Sequence, residues 1–458
     1  MSKFEGFEHR VPIEHDNPSI VCNDSICKKC KLCVKACTVD AGVYPLYDLE
    51  KNGDHAVCIN CGQCVISCPF NALTEVSNIK EVEEALADKS KKVIFMTAPA
   101  VRISLGDAFG LASGTNVTGK MVAALRNLGA DFVLDVTFGA DMTIMEEANE
   151  LIERIEGGSK LPMFTSCCPG WVRFAEMFYP DMLNQLSTVK SPIAIQATLV
   201  KTYFAKKMNL NSADLVVVSV TPCTAKKFER TREELNAATK LNGLEGSDCD
   251  ISITTRELAQ MIKNHNIDFA NLEDSNFDSI LGEGSGAGLI FGNTGGVMEA
   301  ALRTAYFYLN GTNPDQDTFL KFEAVRGLEN VKEAYVNLGK ISIHVAVVNQ
   351  MAEAKKLIDE IRNGNKHYDF VEVMACKGGC ANGGGQIKIL RKPQMEEARI
   401  NRNTALYEGD KKMTIRFCHD NPQVKAMYDN YLGKPGSQIA HELTHTSFVD
   451  RSWEINGK

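Results

Sequence analysis

The chain has 458 residues, 44% of them hydrophobic and 24% charged, with a formal net charge of −8. That length allows two or more domains with a sizeable buried core, and the acidic balance excludes a general nucleic-acid binder. No apolar run approaches a membrane span, and Met1-Ser2-Lys3-Phe4-Glu5-Gly6 lacks the apolar core of a signal peptide, so a cytoplasmic protein without membrane contact is expected. In that compartment the sixteen cysteines are not expected to form disulfides, and their clustering points to metal.

Residues 1–86 are cysteine-dense and read as a small α+β ferredoxin-like domain. They carry Cys27-x-x-Cys30-x-x-Cys33-x-x-x-Cys37 and then Cys58-x-x-Cys61-x-x-Cys64-x-x-x-Cys68-Pro69. This is two-cluster ferredoxin spacing, in which the fourth cysteine of each run crosses to the other cluster. It assigns Cys27, Cys30, Cys33 and Cys68 to one 4Fe–4S cluster, and Cys37, Cys58, Cys61 and Cys64 to the other. Zinc sites use longer gaps between ligand pairs and fit poorly. Lys28, Lys29, Lys31 and Lys35 read either as a docking patch for an acidic electron carrier or as a solvated surface. Cys22, Cys249 and Cys418 read as ordinary thiols.

Residues 87–395 alternate short β-branched runs with helical patterns. Val82–Leu86 reads as a helix leading into this stretch, and 92–99 as a buried strand ending in a turn. Further strands are expected at 132–136, 215–220 and 368–373, and helices at 142–156 and 297–309. The alternation predicts an α/β fold with mostly parallel sheets, and ligands then belong at strand carboxyl ends. Thr221-Pro222-Cys223 and Met374-Ala375-Cys376 each follow such an end. With Thr165-Ser166-Cys167-Cys168-Pro169-Gly170-Trp171 and Cys380, these segments supply five thiols, where a cubane needs four. On the helix at 142–156, Glu147, Glu150 and Arg154 share one face; alone, such a row reads as a solvated ion pair. Residues 396–458 are polar, with two or three short helical patterns, and are expected to pack on residues 87–395.

In this order, the Thr-Ser-Cys-Cys-Pro-Gly-Trp segment, Thr221-Pro222-Cys223-Thr224-Ala225-Lys226-Lys227-Phe228-Glu229 and the stretch from Glu372 to Gln386 resemble the three signatures of FeFe hydrogenases. The resemblance extends over the chain, through Thr97–Arg102, Phe138–Glu147 and Gly295–Arg303. It implies a catalytic domain of two mostly parallel sheet lobes flanked by helices. It also implies reversible H2 formation from protons, with electrons from ferredoxin or a similar carrier. The implied cofactors are an H-cluster and two accessory 4Fe–4S clusters. Cys168, Cys223, Cys376 and Cys380 would hold the cubane. Cys380 would also bridge to a two-iron unit carrying CO, cyanide and an azadithiolate, which dedicated maturation proteins insert. Lys226 corresponds to the lysine that donates to a cyanide, and Pro99 and Met374 to residues lining the two-iron pocket. Adjacent side chains diverge, so Cys168 as ligand leaves Cys167 free, and the resemblance makes Cys167 the proton shuttle. Glu147, Ser187, Glu150 and Arg154 match the proton path to the surface. By the family pattern, the Cys27/Cys30/Cys33/Cys68 cluster is expected nearer the active site.

Thr221 stands where the best-known members carry Met, Ala100 where they carry Ser, Ile193 where they carry Gln, and Ile387 where they carry Pro. These changes leave ligands and proton carriers in place but alter pocket polarity, to which redox potential is coupled. Two other readings stay open: a hydrogenase-like iron–sulfur assembly protein without the two-iron unit, and a slow H2 sensor, which the absence of a visible sensory domain disfavours. His441-Glu442-Leu443-Thr444-His445 satisfies a zinc-peptidase pattern but is expected to be a terminal helix with two polar residues one turn apart. The glycine-rich stretch 282–288 is expected to be a flexible loop near the metal site rather than a nicotinamide or flavin loop.

Overall fold

The computed structural model describes residues 9–315, 318–319 and 322–456; the opening hexapeptide lies outside them. The strands among the described residues are β1 (Ile20–Cys22), β2 (Leu73–Glu75), β3 (Lys92–Thr97), β4 (Phe132–Asp135), β5 (Met163–Phe164), β6 (Leu215–Thr221), β7 (Ile251–Thr254), β8 (Val331–Asn337), β9 (Ser342–Asn349) and β10 (Phe370–Met374). They form three sheets. β1 and β2 pair antiparallel around the two cysteine runs. The order β4-β3-β6-β7 makes an all-parallel sheet. The order β5-β10-β9-β8 makes the other, parallel except for β8 at its edge. Parallel sheets are covered by helices on both faces, so their strands read as continuous apolar runs. β10 and β7 are buried at every residue, and β3 everywhere except Lys92. The expected fold class is the observed one.

The helix Val136–Glu156 is longer than its sequence pattern indicates. It begins directly on the end of β4, where the Asp135 carboxylate accepts from Thr137 N and satisfies one of the first-turn donors. Its first half is buried on all sides, so no polar face marks it as helical. At Gly139 a Cβ would lie 2.4 Å from Pro192 O, so glycine allows the close crossing of this helix with Pro192–Leu199.

The C-terminal part departs more from expectation. One helix of 21 residues, Lys392–Lys412, runs through the boundary placed after residue 395. It buries Arg402, Asn403 and Asp410 as well as Ala398 and Leu406, so hydrophobic periodicity does not reveal it. Asp410 belongs to a buried ion network. Arg303, with 0% of its side chain exposed, joins Glu299 at 2.6 Å and Asp410 at 2.8 Å. Arg326 reaches Glu299 at 2.7 Å, and Arg416 reaches Asp410 at 2.5 Å. Arg303→Met would leave both carboxylates short of a shared partner in a dry interior. The expected loss is about 3–5 kcal/mol, read as a lowered urea midpoint of the full chain; an unchanged midpoint would mean the outer arginines suffice.

The cysteine-rich front is tied to the catalytic part by named bonds. Arg256 holds Glu75 of β2 at 2.7 Å and donates to Gly384 O at 2.7 Å and Gln386 O at 2.6 Å. Thr224 Oγ1 donates to Asn60 O at 2.6 Å, and Arg173 Nε to Cys58 O at 2.7 Å.

Candidate active site

The carboxyl ends of the two parallel sheets face one another, which is where α/β folds place ligands. The chain leaving β3 contributes Ala98, Pro99 and Ala100. That leaving β6 contributes Thr221, Pro222 and Cys223. Cys167 and Cys168 follow β5, and Ala375 and Cys376 follow Met374 at the end of β10. All line one cavity of about 820 Å³, together with Gly379, Cys380 and Gly383. Two glycines of this loop are required by close backbone packing. Gly379 has φ 88°, and a Cβ there would lie 2.5 Å from Thr294 N; at Gly384 one would lie 2.1 Å from Cys61 O. The loop therefore presses its backbone against other backbone, and only glycine permits that.

Cys168, Cys223, Cys376 and Cys380 border the cavity together with Cys167. Burial raises all five thiols, Cys223 to about 12. A dry pocket holds them as neutral thiols until a cation offsets the cost of thiolate charge. Among the described residues, no three His, Cys, Asp or Glu side chains converge on a single ion. The thiols instead ring the cavity, as the corners of a multi-iron cluster require.

Two smaller cavities repeat the arrangement. One, of about 330 Å³, is bordered by Cys27, Cys30, Cys33 and Cys68, and Cys22 joins them. The other, of about 410 Å³, is bordered by Cys37, Cys58, Cys61 and Cys64. The expected order of the two is reversed. Cys61 borders both the second cavity and the main one, and Gln63 Nε2 lies 3.2 Å from Cys376 Sγ. The first set borders only its own cavity, with Cys30 exposed. The reason is docking: the loop carrying Cys58–Cys64 is the one held by Arg173 and Thr224.

Lys226 lines the main cavity, and its ammonium donates to Glu229 at 2.7 and 2.8 Å and to Ser191 Oγ at 2.8 Å. Burial pulls the ammonium down, but Glu229 beside it outweighs this and raises it. Glu229 was missed from sequence, although its i, i+3 spacing from Lys226 is visible there. Ala100, Ile193 and Thr221 form part of the wall. Ile387 instead packs against a hydrophobic cluster behind it.

The row on Val136–Glu156 is not a solvated face. Glu147 is buried, and neither carboxyl oxygen has a hydrogen-bond partner. Burial, and then Glu150 nearby, push it up to about 8. Ser187 Oγ donates to Glu150 Oε2 at 3.0 Å, and Arg154 Nη2 lies 2.5 Å from Glu150 Oε1. Glu150 and Arg154 are each 12% exposed, so the row runs from the interior to the surface.

The two remaining motifs have structural explanations. His441 lies on the helix Gln438–Thr444 and His445 caps its end. Both His445 nitrogens face protein partners, Thr188 Oγ1 at 2.7 Å and Glu146 Oε2 at 3.3 Å. The 282–288 stretch is packed rather than flexible. Ser285 Oγ donates to Asp141 at 2.7 Å, and a Cβ on Gly288 would meet Thr137 O at 2.4 Å. It does lead to the cavity, which Phe291 and Gly292 line.

Residues 91–384 match the iron-only hydrogenase large subunit, C-terminal domain. The chain belongs to the iron-only, or FeFe, hydrogenase family. Residues 396–451 match the iron hydrogenase small subunit, and residues 53–74 a 4Fe-4S binding domain. The chain is 44% identical to iron hydrogenase 1 of Clostridium pasteurianum, over 95% of this chain and 77% of that one. It is also 44% identical to the NADP-reducing hydrogenase subunit HndD of Solidesulfovibrio fructosivorans, over 93% and 73%. An apo FeFe-hydrogenase structure from Chlamydomonas reinhardtii superposes with a TM-score of 0.69 at 38% identity, covering 84% of this chain and all of the other. More distant relatives include cytosolic iron-sulfur assembly component 3 of Bos taurus, 29% identical over 85% of this chain and 82% of that one. Membership implies iron–sulfur clusters and an H-cluster, and the ring of thiols fits them. Among the described residues, no helix is long and apolar enough to cross a membrane.

Proposed function

We propose that this hydrogenase interconverts protons, electrons and H2 in the cytoplasm, with ferredoxin or a similar acidic carrier as its electron partner. The observation that carries the reading is Glu147, a buried carboxyl without hydrogen-bond partners, lying between the cavity thiol Cys167 and the Ser187, Glu150 and Arg154 chain. A protein that only passes electrons or builds clusters has no use for a poised carboxyl there. This favours catalysis over the assembly role that the 29% identical relative raises.

In this reading Cys168, Cys223, Cys376 and Cys380 would hold the cubane, and maturation proteins would supply the two-iron unit. When bound, the H-cluster supplies the redox chemistry that joins protons and electrons into H2. The chain's own residues do the rest. Lys226, fixed by Glu229 and Ser191 at the cavity wall, would offer its ammonium to an anionic ligand of the cofactor. Pro99, Ala100, Thr221 and Met374 keep the wall largely apolar and exclude water. The Cys167 sulfhydryl holds a proton at the cavity, and Glu147 restores it after release. The Ser187 hydroxyl, bonded to Glu150 and near enough to Glu147 to act on it without bonding to it, bridges the gap to Glu147 when it turns, and Arg154 carries the chain to solvent. Cys27, Cys30, Cys33 and Cys68 would hold an outer accessory cluster and Cys37, Cys58, Cys61 and Cys64 an inner one, and these clusters would supply one-electron transfer toward the main cavity.

The carrier is argued from the outer cluster's surroundings. Lys28, Lys29, Lys31 and Lys35 are exposed around it, beside Leu32 at 43% and Phe70 at 44% exposure. An apolar centre with a basic rim suits an acidic partner. Reversing the four lysines to glutamate is expected to slow ferredoxin-driven H2 evolution at low salt by about tenfold or more and to flatten its salt dependence. A small viologen donor should drive both proteins equally. Unchanged ferredoxin rates would remove the docking assignment.

A further inference from the structure

We propose that His445 and Thr188 form a second proton feed that joins the relay at Glu150 from a surface groove away from Arg154. The proposal rests on the proton path given above. It explains a histidine that was notable in the sequence only as half of a zinc pattern.

The C-terminal segment reaches the relay by pairing with the chain just beyond Ser187. Thr446 N donates to Thr188 O at 2.7 Å, Lys190 N donates to Thr444 O at 2.8 Å, and Val189 and His445 form an antiparallel bridge. This sets the His445 ring against the Thr188 hydroxyl, Nδ1 to Oγ1 at 2.7 Å. The same hydroxyl lies 3.3 Å from Glu150 Oε2. On the other side, Nε2 faces Glu146 Oε2 at 3.3 Å. Glu146 is fixed there by Tyr428 Oη at 2.6 Å and Gly436 N at 2.8 Å.

The Thr188 hydroxyl has one hydrogen to give. With neutral His445 donating its Nε2–H to Glu146, bare Nδ1 accepts that hydrogen and none is left for Glu150. A second proton on the ring reverses the order. Nδ1–H then donates to Thr188 Oγ1, and the hydroxyl hydrogen turns to Glu150 Oε2. In one concerted shift Nδ1–H breaks as a new Oγ1–H forms, and the old Oγ1–H breaks as a bond to Glu150 Oε2 forms. His445 loses one proton, Glu150 gains one, and Thr188 is unchanged. The ring reloads from an open groove of about 840 Å³ lined by Glu233, Glu234, Lys240, His441 and His445. The His441 ring stacks on that of His445, centroids 4.5 Å apart. The charged groups facing the ring are therefore Glu146 and, through Thr188, Glu150 from one helix, His441 from its own helix, and Glu233, Glu234 and Lys240 across the groove.

Two readouts on the full chain test this. In the first, histidine ring resonances are titrated in protein lacking the two-iron unit. Glu150→Gln should move the His445 midpoint by about half a pH unit, and the shift should vanish in a Thr188→Val background. In the second, Thr188→Val and His445→Gln should each lower H2 evolution about two- to fivefold at the acid end of the pH profile, where the ring takes its second proton, and leave the alkaline rates unchanged. The double variant should match either single one. A His445 midpoint that ignores Glu150→Gln would overturn the feed, as would a Thr188→Val pH profile that superposes on the parent. Thr188→Val alone carries the test if His445→Gln fails to fold. Loss of turnover in Glu150→Gln with an unaltered Thr188→Val profile would reject the feed and keep the main path.

Discussion

Cys167→Ala is expected to abolish nearly all H2 turnover while leaving the iron content of the chain unchanged. The two adjacent cysteines have separate surroundings. Cys168 precedes the helix Pro169–Phe178, and its sulfur accepts from Ala375 N at 3.4 Å, which fixes it toward the strand end that also carries Cys376. Cys167 lines the same cavity, and its thiol is held protonated first by burial and then by the Glu147 carboxyl. Losing a positioned proton donor costs about 10²–10⁴ in rate. Losing one small buried sulfur costs the fold little beside that. Iron analysis, a urea titration and an H2 assay on one preparation separate these effects. Turnover near that of the parent would reject the shuttle; loss of iron would make Cys167 a ligand.

Glu147→Gln keeps the shape of the side chain but cannot release a proton. Turnover is expected to fall about a hundredfold or more in both directions. The same substitution has a second, independent signature. Glu147 sits at about 8 rather than the ordinary 4.5. Between those values the folded chain keeps a proton that the unfolded chain has released. The folded state therefore binds more protons there, and stability falls as pH rises through the window. The slope is about 1.4 kcal/mol per pH unit for this one group. Glutamine removes it, so the variant should match the parent near pH 4.5 and exceed it by up to about 4–5 kcal/mol above pH 8. Urea midpoints at pH 5 and pH 8.5 check this. A constant difference between the two would show that Glu147 is not the buried neutral acid described here.

The sequence was most informative where chemistry is carried by spacing or by uniform burial. β6 is a Val-rich run, and β10 a mostly apolar one interrupted by the buried Glu372, because parallel strands are covered on both faces, and the four thiols that the intervals group in each set border one small cavity, with Cys22 added at the first. It was least informative where a contact crosses the chain. Which cluster lies inward depends on Arg173 and Thr224 gripping the loop of the second run, and no local pattern records that. The helix Lys392–Lys412 buries arginine and aspartate in an ion network, so its inner face looks polar. The role of His445 depends on pairing between residues 188–190 and 444–446, far apart in sequence. The 282–288 glycines read as flexibility, yet Gly284 and Gly288 press on Thr137 of the helix Val136–Glu156 and Gly286 on Asp410 of the helix Lys392–Lys412. Of the four altered positions, Ala100, Ile193 and Thr221 line the cavity and Ile387 does not.

The cavity is proposed to hold an H-cluster used for H2 chemistry. The most direct measurement is the infrared spectrum of the full chain produced together with the maturation proteins. Sharp bands from iron-bound CO and cyanide are expected, and they should disappear in Cys380→Ala. A chain with full 4Fe–4S absorption and no such bands would contradict the account and favour the assembly reading instead.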